Sequence, residues 1–161
     1  GMERITSYTE YVRRFGFEPG TKLARFEWAK ATRKHKEDFQ RDLDVVGVLT
    51  RVRTADGEPL MLAYDVGPPE VFGEDFTVDQ LEESFFAYLA RRGLRLNYSE
   101  MDITAITADK ELAELLEVEP GVPLLMLDDR YFDYSGQVLL WSRNIYRVDR
   151  CTLKMVIDSR E

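Results

Sequence analysis

Two arginines separated by a single residue, Arg51 and Arg53, end the β-branched run Val45 to Arg53 just before Asp56-Gly57. Residues two apart on a strand point to the same side, about 6.6 Å apart along it. Both guanidinium groups therefore leave one face, while Val46, Val48 and Val52 occupy the other. Two such forks can grip a phosphate or carboxylate through several charge-assisted hydrogen bonds; the plainer alternative is a solvated face on which each arginine meets a nearby carboxylate. A second cluster, Asn144-Ile145-Tyr146-Arg147-Val148-Asp149-Arg150, closes a strand with Arg, Tyr and Asp. Thr6-Ser7-Tyr8-Thr9 sits where a helix starts, and free backbone N–H groups with hydroxyls there make either an anion seat or an ordinary N-cap. Ser84, with Tyr88 one turn on, adds a hydroxyl to a central helix.

Groups that would do covalent or acid–base chemistry are sparse. His35 is the sole histidine and lies in Lys34-His35-Lys36-Glu37, a stretch that reads as solvated. Cys151 is the sole cysteine, which excludes an internal disulfide and a cysteine metal cluster and fits a reducing cytoplasm. No phosphate-binding glycine loop, nucleophile elbow or zinc helix motif occurs. Glu82-Glu83, Asp128-Asp129 and Glu111 with Glu114 read as surface pairs. The expectation is a binder that is not an enzyme, with no cofactor and no metal.

The 161 residues suffice for one domain with its own core. The side chains are 44% hydrophobic and 32% charged, a globular balance. With 30 acidic against 22 basic residues the net charge is −8, which argues against bulk attraction to nucleic acid or an anionic membrane. The apolar runs are strand-length, so no span of a bilayer is expected.

The elements that must hold these groups follow from periodicity. Ile5 to Phe15 reads as a helix stopped by Gly16, Leu23 to Ala29 as a strand, and Thr32 to Leu43 as a short solvated helix with loops. Val45 to Arg53 and Leu60 to Val66 form a hairpin about Asp56-Gly57. Gly67 to Phe76 reads as loop. Thr77 with Gln80 makes a capping box for a helix carrying Leu81, Phe85, Tyr88 and Leu89, which Gly93 ends. Leu94 to Thr107 is a strand, Asp109 caps a short helix, and Pro123 to Phe132 with Val138 to Tyr146 is a second hairpin about Ser135-Gly136. Thr152 to Ile157 adds a last strand. Strands outnumber helices and hairpins join most neighbours, which predicts an α+β fold: an antiparallel sheet with helices packed on one face.

The order of features resembles a known family: Thr-Ser-aromatic-Thr at the entry; Arg-x-Arg-x-Ala-Asp-Gly-x-Pro in the first hairpin; Ser-aromatic-aromatic-x-Tyr-Leu in the central helix; Gly-x-Pro-Leu-Leu; and a terminal Tyr-Arg-x-Asp-Arg. This resembles the UTRA domain, the effector-binding half of HutC-type GntR transcription regulators, over about Ile5 to Ser159. The resemblance implies a chorismate-lyase-like fold, one effector-binding domain over residues 1–161, a homodimer, and DNA contact only through an N-terminal winged helix-turn-helix domain that this sequence lacks. It implies that the effector is a small anionic metabolite held at Ser7, Tyr8, Thr9, Arg51, Arg53 and Ser84, with Tyr146 helping to close the pocket. Arg147 and Arg150 match the terminal motif, Arg150 as a structural partner of an acidic neighbour. Ala63 and Leu140 stand where such proteins often carry glutamates, Phe86 where a tyrosine is common, and Cys151 where the motif usually ends in an aromatic. Those departures imply a comparatively apolar effector body. The fold leaves a chorismate-lyase-like enzyme as an alternative, and a stand-alone ligand-binding or interaction module as another.

Overall fold

Asp56 and Gly57 both take left-handed backbone angles, φ 50° and 80°, and so close the two-residue turn that sets the central hairpin. The Asp56 carboxylate accepts from the Glu18 N–H at 2.7 Å, while the Asp56 N–H donates to the Glu18 carbonyl at 2.9 Å, pinning the turn to the strand before it. The computed structural model describes residues 12–81, 85–150 and 152–153. Its elements run β1 (Pro19–Lys30), α1 (Arg33–Phe39), β2 (Val45–Ala55), β3 (Glu58–Gly67), α2 (Pro69–Phe72), a 3-10 turn (Val78–Gln80), α3 (Phe85–Arg91), β4 (Leu96–Thr107), α4 (Lys110–Leu116), β5 (Pro123–Asp133) and β6 (Val138–Arg147).

The six strands form one sheet in the order β1-β2-β3-β6-β5-β4, each pair antiparallel. Two meanders, β1-β2-β3 and β4-β5-β6, meet where β3 pairs with β6. The antiparallel α+β sheet matches the expectation. The helices, however, divide between the two faces. On one face Phe39 of α1 packs with Val46, Val66 and Phe132, and Ala113 and Leu116 of α4 pack with Val52, Leu62, Leu124 and Ile145. On the other, Val71 and Phe72 of α2 and Phe85, Tyr88 and Leu89 of α3 pack with Leu49, Tyr131 and Leu140. The physical reason is that β2 and β3 are buried on both sides: every residue of Thr50 to Ala55 and Pro59 to Ala63 is buried, so each face needs a cover. Gly47 lets α2 approach, since a Cβ there would lie 2.4 Å from the Phe72 ring.

Local readings fared unevenly. Asp109 caps α4 as expected, its carboxylate accepting from the Leu112 N–H at 2.8 Å. Thr77 makes no such side-chain bond; Val78–Gln80 is a 3-10 turn and the helix runs Phe85–Arg91, so Leu81 lies off it. The stretch read as loop contains α2, opened by Pro68-Pro69. His35 is half-buried, and its Nδ1 accepts from the Thr32 N–H while its own N–H donates to the Thr32 hydroxyl, a reciprocal cap. Residues 12–14 are helical, in line with the first predicted helix, whose remainder lies outside the described residues. Thr152 and Leu153 are in no strand, and residues 154–157 of that predicted strand lie outside the described residues.

Candidate functional site

The strand register lays out the face that carries Arg51 and Arg53 as a grid. One row runs Arg53, Met61, Tyr146, Leu125 across β2, β3, β6 and β5, and the next runs Arg51, Ala63, Asn144, Leu127. The third is Leu49, Asp65, Ser142, Asp129, and beyond it lie Leu140 and Tyr131. All four buried charged residues among those described, Arg51, Arg53, Asp65 and Asp129, lie on this face. Burying a charge is costly unless it is paired and hydrogen-bonded, so this concentration calls for a physical explanation.

Arg51 is 7% exposed. Its Nη2 donates to Asp65 Oδ2 at 3.1 Å, and its guanidinium carbon sits 5.9 Å from the centre of the Phe85 ring. Its Nε is buried without a hydrogen-bond partner among the described residues. Arg53, equally enclosed, donates from Nε to the Gly20 carbonyl at 3.4 Å. Both arginines line a cavity of about 430 Å3, together with Arg13, Ala24, the Pro19 to Lys22 backbone stretch, and Val78, Asp79 and Leu81 around the 3-10 turn. Arg13, Lys22, Arg51 and Arg53 against the single Asp79 make the wall cationic. The two guanidinium groups thus converge on a concavity and do not splay into solvent.

The third row is the part that the sequence reading missed. Asp65 Oδ1 accepts from the Ser142 hydroxyl at 2.6 Å, which completes an Arg51–Asp65–Ser142 chain. Asp129 is 2% exposed, accepts a long 3.4 Å bond from the Tyr131 hydroxyl, and has no partner for Oδ1 among the described residues. Burial pushes its pKa up to about 6, with the charges of Asp128 and Asp65 adding to the rise and the nearby Tyr131 and Ser99 hydroxyls opposing it. The Tyr131 phenol is pushed well above its ordinary value, chiefly by burial and then by the charges of Asp129 and Asp65, so it stays a donor.

The other predicted site residues fall at distinct places. Ala63 lies directly opposite Arg51, and Tyr146 joins Met61, Ala63 and Leu127 in an apolar patch beside the arginine rows. Leu140 is fully buried in the core beneath α3, and Phe86 meets Tyr131 edge-on at 5.5 Å. Leu140 and Phe86 thus sit past the acidic row, which separates them from Arg51 and Ala63. Ser7, Tyr8, Thr9, Ser84 and Cys151 lie outside the described residues. Arg147 holds structure on the opposite face, bonding Asp149 at 2.8 Å and donating to the Leu116 carbonyl at the end of α4. Arg150 pairs with Glu58, as expected of a structural residue. Among the described residues no helix is long and apolar enough to cross a membrane, and no group of three or more His, Cys, Asp or Glu side chains could hold a metal.

Comparison with known proteins places this grid in context. The family model for the UTRA domain matches residues 14–152. The HTH-type transcriptional repressor NagR of Bacillus subtilis (strain 168) is 22% identical over 166 residues, covering 98% of this chain and 65% of the repressor. The chain therefore spans somewhat less than two thirds of that relative. The crystal structure of PhnF from Mycobacterium smegmatis superposes with a TM-score of 0.88 at 26% identity, over 98% of this chain and 70% of that one. The effector domain of PhnF alone gives 0.84 at 25% identity, over 95% of each chain. By name the first of these relatives is a transcriptional repressor and the last an effector domain.

Proposed function

The chain belongs to the UTRA domain family, the effector domains of GntR-type transcription regulators, and from that premise we propose that it senses a small anionic metabolite. The anion is held by Arg51 and Arg53, at the mouth of the cavity beside the Val78 to Leu81 turn. One observation carries this reading: Arg51 is buried with its Nε lacking a hydrogen-bond partner among the described residues, on the wall of a cavity with four cationic side chains. A buried donor left unmade is costly, on the order of 1–3 kcal/mol, and an anionic ligand removes that cost. The effector body lies over Ala63, Leu127 and Tyr146, which supply apolar surface next to the arginine rows.

Ser7, Tyr8, Thr9 and Ser84 complete the anion seat in this proposal, by the same resemblance that singled them out. The domain acts as a homodimer in the cytoplasm, and operator DNA is contacted by a separate domain outside this sequence. A charge of −8 fits that division, because the sensor itself repels the phosphate backbone. Signalling then requires the effector to favour one dimer arrangement over another by its differential affinity.

Calorimetric titration with inorganic phosphate and short alkyl phosphates tests the proposal. Wild type should bind, and Arg53→Ala should weaken binding at least tenfold, since a charge-assisted bond is worth about 1.5–3 kcal/mol. Equal affinity in both proteins, or no binding of any anion, rejects it.

A further inference from the structure

The row Asp65, Ser142, Asp129 is not used by an anion seat at Arg51 and Arg53, yet it is the most enclosed polar feature of the sheet. Asp65 is satisfied twice, by Arg51 Nη2 at 3.1 Å and by the Ser142 hydroxyl at 2.6 Å. Asp129, one strand beyond Ser142, is 2% exposed and keeps an oxygen without a partner among the described residues. Buried polar atoms without partners are rare in folded proteins, and each asks for a ligand, an ion or a water. A metal ion is a poor answer, because no cluster of three suitable ligands exists among the described residues.

Two orphaned polar atoms of opposite character therefore face the same side of one sheet: Arg51 Nε, a donor, and Asp129 Oδ1, an acceptor. The Arg51 guanidinium reaches back over β3 to touch Asp65. From there to Asp129 on β5 is two strand spacings, about 9–10 Å. Ala63, Asn144 and Leu127 lie in the adjoining row. We propose that Asp129, with Asp65 and Ser142 beside it, forms a subsite for a protonated amine, so that the effector is a zwitterion with its anion at Arg51 and Arg53 and its ammonium group at Asp129. The inference rests on the anion reading above and adds its other end. It replaces the apolar far end that the sequence implied from Ala63 and Leu140: those two positions lack carboxylates, but Asp65 and Asp129 bring carboxylates to the same face from neighbouring positions.

The charges support this pairing. An incoming anion competes with Asp65 for Arg51, and every hydrogen bond it takes leaves Asp65 less neutralised. A ligand that brings only negative charge meets two buried carboxylates, whereas one that also brings an ammonium group neutralises them.

The test compares 6-aminohexyl phosphate with n-hexyl phosphate by calorimetry, in wild type and in Asp129→Asn. The expected result is at least tenfold tighter binding of the amino compound to wild type, lost in Asp129→Asn, where n-hexyl phosphate binds as tightly as in wild type or more tightly because one of the opposing carboxylates is gone. Equal affinity of the two esters for wild type overturns the proposal, as does a preference that survives Asp129→Asn. The anion reading fails separately, if neither ester nor inorganic phosphate binds. In that event n-hexylammonium is compared with n-hexanol: ammonium binding that depends on Asp129 upholds the amine subsite, and its absence overturns it.

Discussion

The two faces of the sheet use the same strands for opposite ends. Under α1 and α4, Val46, Val52, Leu62, Val66, Leu124 and Ile145 make apolar contact, with charged groups such as Arg143 and Asp128 kept partly open to solvent and paired at 2.7 Å. Under α2 and α3 the apolar packing stops at Tyr131, Leu140 and Leu49; Leu49 shares its row with Asp65, Ser142 and Asp129, and the arginines follow in the next rows. The covered face is what folding needs, because each buried aliphatic side chain contributes about 1.5–3 kcal/mol. The charged face gives up that contribution at four positions. On the proposed reading, those four charges are held there for a ligand.

The contrast breaks if the two faces respond alike to substitution. Leu62 is completely buried between Val52 and Ile145. Leu62→Ala should lower unfolding free energy by about 4 kcal/mol in urea and leave alkyl phosphate affinity as it was. On the other face, Arg51→Met alone should cost about 3 kcal/mol, because Asp65 stays buried without its cation. Adding Asp65→Leu should restore or exceed wild-type stability, since an apolar pair of similar volume replaces a desolvated ion pair. The restored protein should still fail to bind phosphate esters. If it bound them, Arg51 would be a structural residue and the distinction between the faces would vanish.

Much of this division was written in the local sequence, and the rest was hidden by register. The alternation Arg51, Val52, Arg53 placed both guanidinium groups on one face, and Asp56-Gly57 fixed the hairpin. Counting outward from that turn with no irregularity, Ala55 pairs with Glu58 and Thr54 with Pro59, which would set Arg51 against Leu62. A bulge between Arg53 and Thr54 shifts the pairing by one residue, so that Arg51 meets Ala63 and Asp65 joins its face. A one-residue slip exchanges every side chain between faces, and nothing in the composition of Pro59 to Met61 announces it. The same irregularity between Tyr131 and Phe132 governs which residues of β5 face β6 residues such as Leu140. Asp128-Asp129 read as a surface pair for this reason: one carboxylate does lie out, bonded to Arg143, and the other is buried on the opposite face. Helix placement was also out of reach, because covering both faces depends on how deeply β2 and β3 are enclosed, a property of the assembled sheet.

Asp129 offers the smallest effect and the sharpest distinction. Its folded pKa, raised to about 6 by burial, exceeds the ordinary carboxylate value of 3.8. Between those values the native chain holds more protons than the unfolded chain, so this group makes stability fall as pH rises through that window. The cost is absent below about pH 4 and fully present above about pH 7. Asp129→Asn removes the charge and keeps the shape. It should therefore stabilise the protein at pH 7.5 by about 1–2 kcal/mol, and by nothing at pH 4. Asp65 and Asp128, whose charges act on this carboxyl, and the neighbouring Ser99 and Tyr131 are present in both proteins and largely cancel in the difference. Urea midpoints at the two pH values give the comparison directly. A variant no more stable than wild type at pH 7.5 would mean that Asp129 is already satisfied within the fold, leaving no buried charge waiting for a ligand.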